Sequence, residues 1–428
     1  MNKKTKLGTL LGLVVLQLIA CKTQKQDTII SLTNASDILL TDKPVVIKRS
    51  QISNTISSSQ FPLLLIGTDT IPSQMNDIDA NGNWDELFFV INFSANETKH
   101  IQLKWIDTKP SYEVKTSVRF GKRSSKNTPV QPATDEVLLA NEVHKALGYQ
   151  RYQTDGPTWE NDKVGFRHYL DGRNAKDVFA KKTAAITPEN VGIDSLGGVE
   201  DNYHVMHDWG RDVFPVGNSV GLGGFAMLTN DKVERLGITT NDTLNNVEKT
   251  TFKIIAEGPV NSILSYEYQN WEASANKYQA EETTSIWPGM YGYKNTVSLN
   301  GLKGNETLLI GLSNINNEKG LNTVNVGDWI CLIQHDKLTY ERQWVMGTAL
   351  IIPKASFEGV MEAPKEGQLT NSYLAKFKIE NNKPIRYYAI AACELSEDKN
   401  FTDSEYFTNY VVNLAKQLAT KINIEIKN

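Results

Sequence analysis

The chain has 428 residues, 40% of them apolar, with 45 basic and 49 acidic side chains and a formal charge of −4. That much apolar material supports real hydrophobic cores and excludes a disordered chain, while the acidic balance argues against a nucleic-acid partner. Anionic ligands would need a local basic pocket.

The first segment, MNKKTK followed by LGTLLGLVVLQLIA and Cys21, has the basic start, apolar run and small-residue-then-cysteine site of a bacterial lipoprotein signal. Residues 1–20 are therefore expected to be removed and Cys21 acylated, with the membrane reached through that lipid anchor only. Lys22, standing where a retention aspartate would be, points to the outer membrane, facing periplasm or cell surface. Loss of Lys3, Lys4 and Lys6 leaves 42 basic against 49 acidic residues, about −7.

Residues 21–30 read as a tether, and strand-like runs then make 31–125 a small N-terminal β-region. Within it, NDIDANGNWDEL places Asp77, Asp79, Asn81 and Asp85 at positions 1, 3, 5 and 9 of a loop turned by Gly82. Hard oxygen donors at that spacing suit a structural calcium ion, and an Asx-turn hairpin loop has the same residue preferences. Phe88 stands where an EF-hand has its bidentate glutamate.

Between 122 and 135 the composition turns to Lys, Ser, Asn, Thr and Pro, loop chemistry that opens the larger domain, 126–428. Residues 136–147 then read as one short helix. The next stretch, DGPTWENDKVGFRHYLDGRNAKDVFAKK, gathers Arg167, Arg173, Lys181 and Lys182 beside Trp159 and Tyr169. Guanidinium forks recognise carboxylate or sulfate and aromatic rings stack on sugars; the alternative is a solvated charged hairpin. A strand over 164–170 would send Arg167 and Tyr169 to one face and Phe166, His168 and Leu170 to the other.

In YHVMHDWGRDVFPVGNSVGLGG, His204 and His207 lie together if helical and apart if extended. With Asp208 or Asp212 they make a weak metal frame, since nothing like HExxH is present; acid–base work by an imidazole fits better. Neither GxGxxG nor GxxxxGK[ST] occurs, so Gly221, Gly223 and Gly224 are read as tight turns or close backbone approach, with no nucleotide implied.

From Thr250 onward nine period-two runs follow, from TTFKIIAEG to RYYAIAACEL, and that number of strands needs two packed sheets. Cys331 and Cys393 fall in two of these runs, as one disulfide or two buried thiols. Thr402-Asp403-Ser404-Glu405 is a helix start, after which Phe407, Tyr410, Val411, Leu414 and Leu418 share one helical face. That helix is expected to pack on the sandwich.

TDGPTWENDKVGFRHYLDGRNAKDVF followed by NYHVMHDWGRDVFPVGNSVGLGGFAM resembles the paired signature of a domain-of-unknown-function family of secreted Bacteroidota proteins from polysaccharide-degradation loci. The similarity runs from about residue 60 to about residue 420. The later strands resemble a galactose-mutarotase-like antiparallel β-supersandwich, so the resemblance implies a mainly β fold with a small N-terminal β-region and a C-terminal helix. The family pattern falls on Trp159, Glu160, Asp162, Arg167, Tyr169, Asp171, Arg173 and Asn174, then on Tyr203, His204, Asp208, Trp209 and Asp212. His207 occupies a variable position.

Within the family the chain is most similar to ulvan-oligosaccharide dehydratases, which implies loss of water across C4 and C5 of a non-reducing-end glucuronate or iduronate. An anionic oligosaccharide is then the partner, and no cofactor is required. The chemistry asks for a base, His204 oriented by Asp208; cations for the enolate, Arg167 with Arg173 or Lys181; and an acid, Tyr169 or Tyr203. Trp159 and Trp209 would be stacking platforms, and His207, Arg211 and Asn218 further substrate contacts. The rival readings are a lyase, which expels a sugar from O4, and a non-catalytic glycan-binding lipoprotein.

Overall fold

The computed structural model describes residues 28–52, 59–142, 149–239 and 241–427. The signal segment and Cys21 lie outside the described residues.

The N-terminal part is a small sandwich. Strands Thr28–Asn34, Thr98–Ile106, Phe61–Ile66 and Asp69–Ile71 form a sheet against a second made of Leu40–Lys48, Glu86–Phe93 and Ser73–Asn76. Ile30, Leu32, Val45, Leu64, Leu87, Phe89 and Ile101 fill the space between them. The first strand begins inside the stretch read as a tether, because TIISLTN alternates buried and half-buried positions and pairs on both edges. Its outer partner is Ile422–Lys427, so the first and last of the described strands lie side by side in one sheet.

The larger part is a supersandwich. Its base is a nine-stranded antiparallel sheet that takes seven of the nine runs expected after Thr250, with Asp135–Leu139 at one edge and Asn322–Val326 at the other. The remaining two runs, Thr307–Ser313 and Ser372–Lys378, lie in a five-stranded sheet with Leu222–Thr229. A second five-stranded sheet runs in the order Gly210–Asp212, Lys176–Lys181, Val164–His168, Thr158–Asn161, Thr116–Arg119. Both five-stranded sheets pack on the large one through a shared core that includes Trp159, Phe166, Val178, Leu222, Phe225, Tyr266, Tyr293 and Leu350.

The expected helix over 136–147 is corrected at its start, and residues 143–147 lie outside the described residues. Glu136 and Leu138 are buried while Asp135, Val137 and Leu139 are exposed, a period of two, and all five residues pair with the strand Val247–Ala256. Pairing at a sheet edge overrides the helix propensity of Glu and Leu. The C-terminal helix, Ser404–Ala419, does form: Asp403 caps it by accepting from the Tyr406 amide, and Phe407, Val411 and Ala415 bury against the outer face of the large sheet at Cys331, Ile333 and Ile351. Cys331 and Cys393 are free, buried thiols, and burial pushes both up to about 12.

Glycine is required where strands crowd. Gly221 has φ +71°, and a Cβ there would lie 1.8 Å from the carbonyl oxygen of Lys176. The glycine-rich run therefore seats one five-stranded sheet against the other, which is the close backbone approach its composition suggests.

Candidate functional site

The site is built on one face of the sheet that ends in Gly210–Asp212. Pairing sets Thr158 opposite Arg167, Arg167 opposite Asp177, and Phe179 opposite Asp212. Strand alternation therefore sends Thr158, Arg167, Asp177 and Asp212 to one side and Trp159, Phe166, Lys176 and Val178 to the other. The second side is the shared core. The first is roofed by the connection 182–209, which is pinned where Val191, Tyr203 and Trp209 pack on Phe179.

Under that roof Arg167 is 1% exposed and Asp177 and Asp212 are fully buried. One guanidinium nitrogen, Nη2, donates to Asp177, to Asp212 Oδ2 at 2.8 Å and to Tyr169 Oη at 2.6 Å. The Tyr169 hydroxyl donates to Asp177 Oδ2 at 2.8 Å. The rings of Tyr169 and Tyr203 flank the guanidinium, with centroids 4.3 and 5.0 Å from Cζ. Two carboxylates thus share one guanidinium in a dry space. Burial, and then Asp177, push the Asp212 carboxyl well above its usual range against the pull of Arg167.

The cluster reaches solvent through His204. Its Nδ1 stands 3.5 Å from Asp212 Oδ2, and its side chain is 44% exposed. Burial and the Arg167 charge pull its pKa down, so the imidazole is uncharged at neutral pH. Around it lie Tyr340, whose ring is edge-on at 6.0 Å, and Arg211, whose guanidinium lies over the Trp344 ring at 5.2 Å. The phenol of Tyr340 is pushed up by burial and by Asp177 and Asp212, so it keeps its proton. Arg211 Nε donates to the Asp212 carbonyl at 2.9 Å, and Arg211 makes no ion pair among the described residues. Arg211 is thus a cation near His204 that is left without an ion pair among the described residues.

Several expectations are corrected. Asp208 is exposed, and the carboxylate beside His204 is Asp212. The segment folds as a single 3-10 turn, Asn202–His204, and then returns as the strand Gly210–Asp212; the second aspartate, not the first, comes back under the histidine. Trp159 is fully buried, stacked on Phe166 at 5.8 Å, and cannot meet a sugar. Lys181 is also buried, 2.6 Å from Glu160 Oε2 and 2.6 Å from the Asn161 carbonyl, so its charge is spent in a structural pair beside Arg119.

Arg167 is likewise committed to Asp177 and Asp212 and, 1% exposed, does not reach the opening. Tyr169 points its hydroxyl inward at Asp177, and Tyr203 donates to Asp201 Oδ1 at 2.8 Å, so neither faces the opening. Trp209, at the end of the roof, is only 9% exposed, with His207 stacked on it at 5.9 Å and bonded to the Asn202 carbonyl; both anchor the loop. Arg173 lies 3.7 Å over the Tyr169 ring and pairs with Asp171 at 2.7 Å, forming the side wall with Asp155, whose carboxyl burial raises to about 6. Asn218 gives its backbone carbonyl to Arg235. Tyr340 and Trp344 were not singled out by sequence, because they come from a loop more than 130 positions further along the chain.

The oxygen-rich loop is assembled as its spacing suggests. Carboxylate oxygens of Asp77, Asp79 and Asp85 come within 4.8 Å of one another. Asp77 also accepts from the amides of Asn81 and Gly82, Asp85 from those of Ile78 and Asp79, and Asn81 donates to Asp79. The donor set is all hard oxygen, the chemistry of calcium, and its carboxylates also order the loop by themselves.

The model of a family described as "Domain of unknown function (DUF4861)" matches residues 32–424. A relative, "Uncharacterized protein P7" from Formosa agariphila, is 27% identical over 436 residues, covering 94% of this chain and 95% of its own. Among solved structures, an alpha-mannosidase from Enterococcus faecalis is similar at 8% identity and a TM-score of 0.47, over 94% of this chain and 46% of that one. A glycosyl hydrolase family 38 protein from the same organism gives 9% identity and a TM-score of 0.46, over 95% of this chain and 48% of that one. The chain spans about half the length of those two solved chains.

Proposed function

From the premise that this chain belongs to the DUF4861 family, we propose that it is a carbohydrate-active dehydratase acting on the terminal uronate of anionic, ulvan-type oligosaccharides. The observation that carries the reading is the His204–Asp212 pair, an uncharged imidazole opening to solvent directly above a buried Arg167–Asp177–Asp212 cluster.

Elimination of water needs a base for the C5 proton, a cation for the charge that develops on the uronate carboxylate, and an acid for the departing 4-hydroxyl. His204 takes the proton, and the imidazolium that forms lies beside Asp212. Arg211 meets the substrate carboxylate, with Trp344 beside it as the sugar-facing ring. Tyr340, still protonated, delivers a proton to the leaving hydroxyl. The C5–H and C4–O bonds break, a C4–C5 double bond forms, and water leaves. Arg167 is a positioning residue that holds Asp212 under His204. The Asp77–Asp85 loop would serve as a structural calcium site in the N-terminal sandwich. A lipid anchor at Cys21 would place the enzyme at the outer membrane.

Incubation with saturated uronate–rhamnose-sulfate oligosaccharides tests this. The expected products absorb in the ultraviolet and have lost one water with chain length unchanged, and His204→Ala slows their formation roughly 10²–10⁴-fold. A shortened chain carrying the same double bond would assign a lyase. Unchanged mass with folded protein would remove the elimination reading altogether.

A further inference from the structure

A second concave site lies away from His204, where the helix Ser404–Ala419 passes the strand Leu40–Lys48 of the N-terminal sandwich and the loop after Asn276–Ile286. The groove has a volume of about 350 Å³. On the helix side Tyr406 is 39% exposed, yet its ring is fixed: its hydroxyl donates to Asp398 Oδ2 at 2.6 Å and it packs edge-on to Phe401 at 5.3 Å. Asn409 and Asn413, one turn apart, line the same groove with exposed amides.

The opposite wall is charged. Asp42 is held at φ +46°, with its amide taken by Asn92 Oδ1 at 2.7 Å. Its carboxylate faces Gly289, where a Cβ would lie 2.1 Å from Oδ2, so only glycine leaves the carboxylate room. Next to it Lys43 donates to the Gln417 carbonyl at 2.6 Å and makes no ion pair among the described residues. Burial lowers its pKa to about 8.

We propose that this groove is a second, non-catalytic carbohydrate site, binding one pyranose unit of a glycan chain by stacking it on Tyr406 and hydrogen-bonding its hydroxyls to Asp42, Asn409 and Asn413. A pyranose has one apolar face and a rim of hydroxyls, which matches one immobilised aromatic ring beside a carboxylate and two amides. The carboxylate accepts from two neighbouring hydroxyls, and each amide both donates and accepts. An apolar ligand would desolvate the Asp42 carboxylate without offering it a hydrogen bond. Because Tyr406 is locked before binding, little ordering entropy opposes stacking. The proposal does not depend on the dehydration chemistry at His204. It gives the enzyme a separate hold on the polymer.

Native affinity electrophoresis of the mature protein, in gels containing ulvan and in parallel gels containing neutral xylan, tests it. The wild type is expected to be retarded by at least one of them, Tyr406→Ala to bind roughly fivefold more weakly, the scale of one aromatic contact, and Asn413→Ala roughly fivefold more weakly, the scale of one hydrogen bond. Tyr406→Phe, which keeps the ring, should retain most of the binding, and His204→Ala should retain all of it. Asn413 is exposed, so its variant does not jeopardise folding. No retardation of the wild type in either gel, or equal retardation of wild type and both alanine variants, would overturn the proposal. Retardation that survives while no dehydration is seen would leave this site standing and remove only the reading at His204.

Discussion

Two buried ionic clusters are separated by one strand. On Lys176–Lys181, Lys176 points into the core and Asp177 to the opposite face. Lys176 Nζ lies 2.5 Å from Glu282 Oε1, both fully buried, with Tyr268, Asn295 and His168 around them. Burial and the Lys176 charge drive His168 down to about 3, so it stays neutral, and the charges match one to one. On the other face two carboxylates share one guanidinium, and the imbalance ends at a half-exposed imidazole. Burial and shifted pKa values are common to both clusters. What separates a structural network from a candidate site is unequal charge together with a route to solvent.

The strongest way to break this comparison is His204→Ala. If the open cluster is the reactive one, turnover of uronate oligosaccharides falls roughly 10²–10⁴-fold, the usual worth of a positioned acid–base group. Thermal stability should barely move, because the side chain is half exposed. A variant that loses stability and keeps activity would make the two clusters equivalent.

The sealed cluster gives the opposite result. Lys176→Met leaves Glu282 buried without its cation and is expected to cost about 3–5 kcal/mol, read by denaturant unfolding. The double change Lys176→Met with Glu282→Leu should recover much of that loss, since no charge then remains buried. Persistence of the full loss in the double variant would show that packing, rather than ionic balance, sets the penalty.

Asp212→Asn sharpens the distinction at the reactive end. It keeps the shape and removes the carboxylate beside His204, so kcat should drop roughly 10–100-fold while Asp208→Asn stays near wild type. The reverse ranking would restore Asp208 as the orienting group.

These contrasts also show what the sequence can and cannot carry. The chain falls in a domain-of-unknown-function family, and all nine runs after Thr250 are strands: burial alternates in Asn276–Ile286 and Gly292–Asn300, while Trp329–Asp336 and Met346–Pro353 are buried on both faces and read as continuous apolar runs. The C-terminal helix was legible from its cap and its apolar face. Arg167 and His204 were legible as residues of one region, but Asp212 was not legible as the partner of His204. The choice between Asp208 and Asp212 depends on where the chain re-enters the sheet, which is a long-range register. Trp159 was misread for the same reason: its pairing with Phe166, not its residue type, puts it in the core. Tyr340 and Trp344 carry no local signal, since nothing near them in sequence marks the mouth they reach.

The smallest expected effect is in the pH dependence, where sign decides more than size. His204 acts as a base and must be unprotonated. Burial and Arg167 lower its pKa beneath the ordinary 6.5, so kcat/KM should hold through 6.5 and fall only as pH drops through that lower value. The same shift means the unfolded chain binds the proton more readily than the folded one, so stability is lost as pH falls below 6.5 and is unaffected by this group above it. His168, driven down to about 3, contributes to stability with the same sign over a wider acid range and leaves the rate profile alone. Profiles of kcat/KM and of thermal midpoint, measured on wild type and His204→Ala, separate the two. An acid limb in the rate at or above 6.5 would mean that the titrating group is not His204.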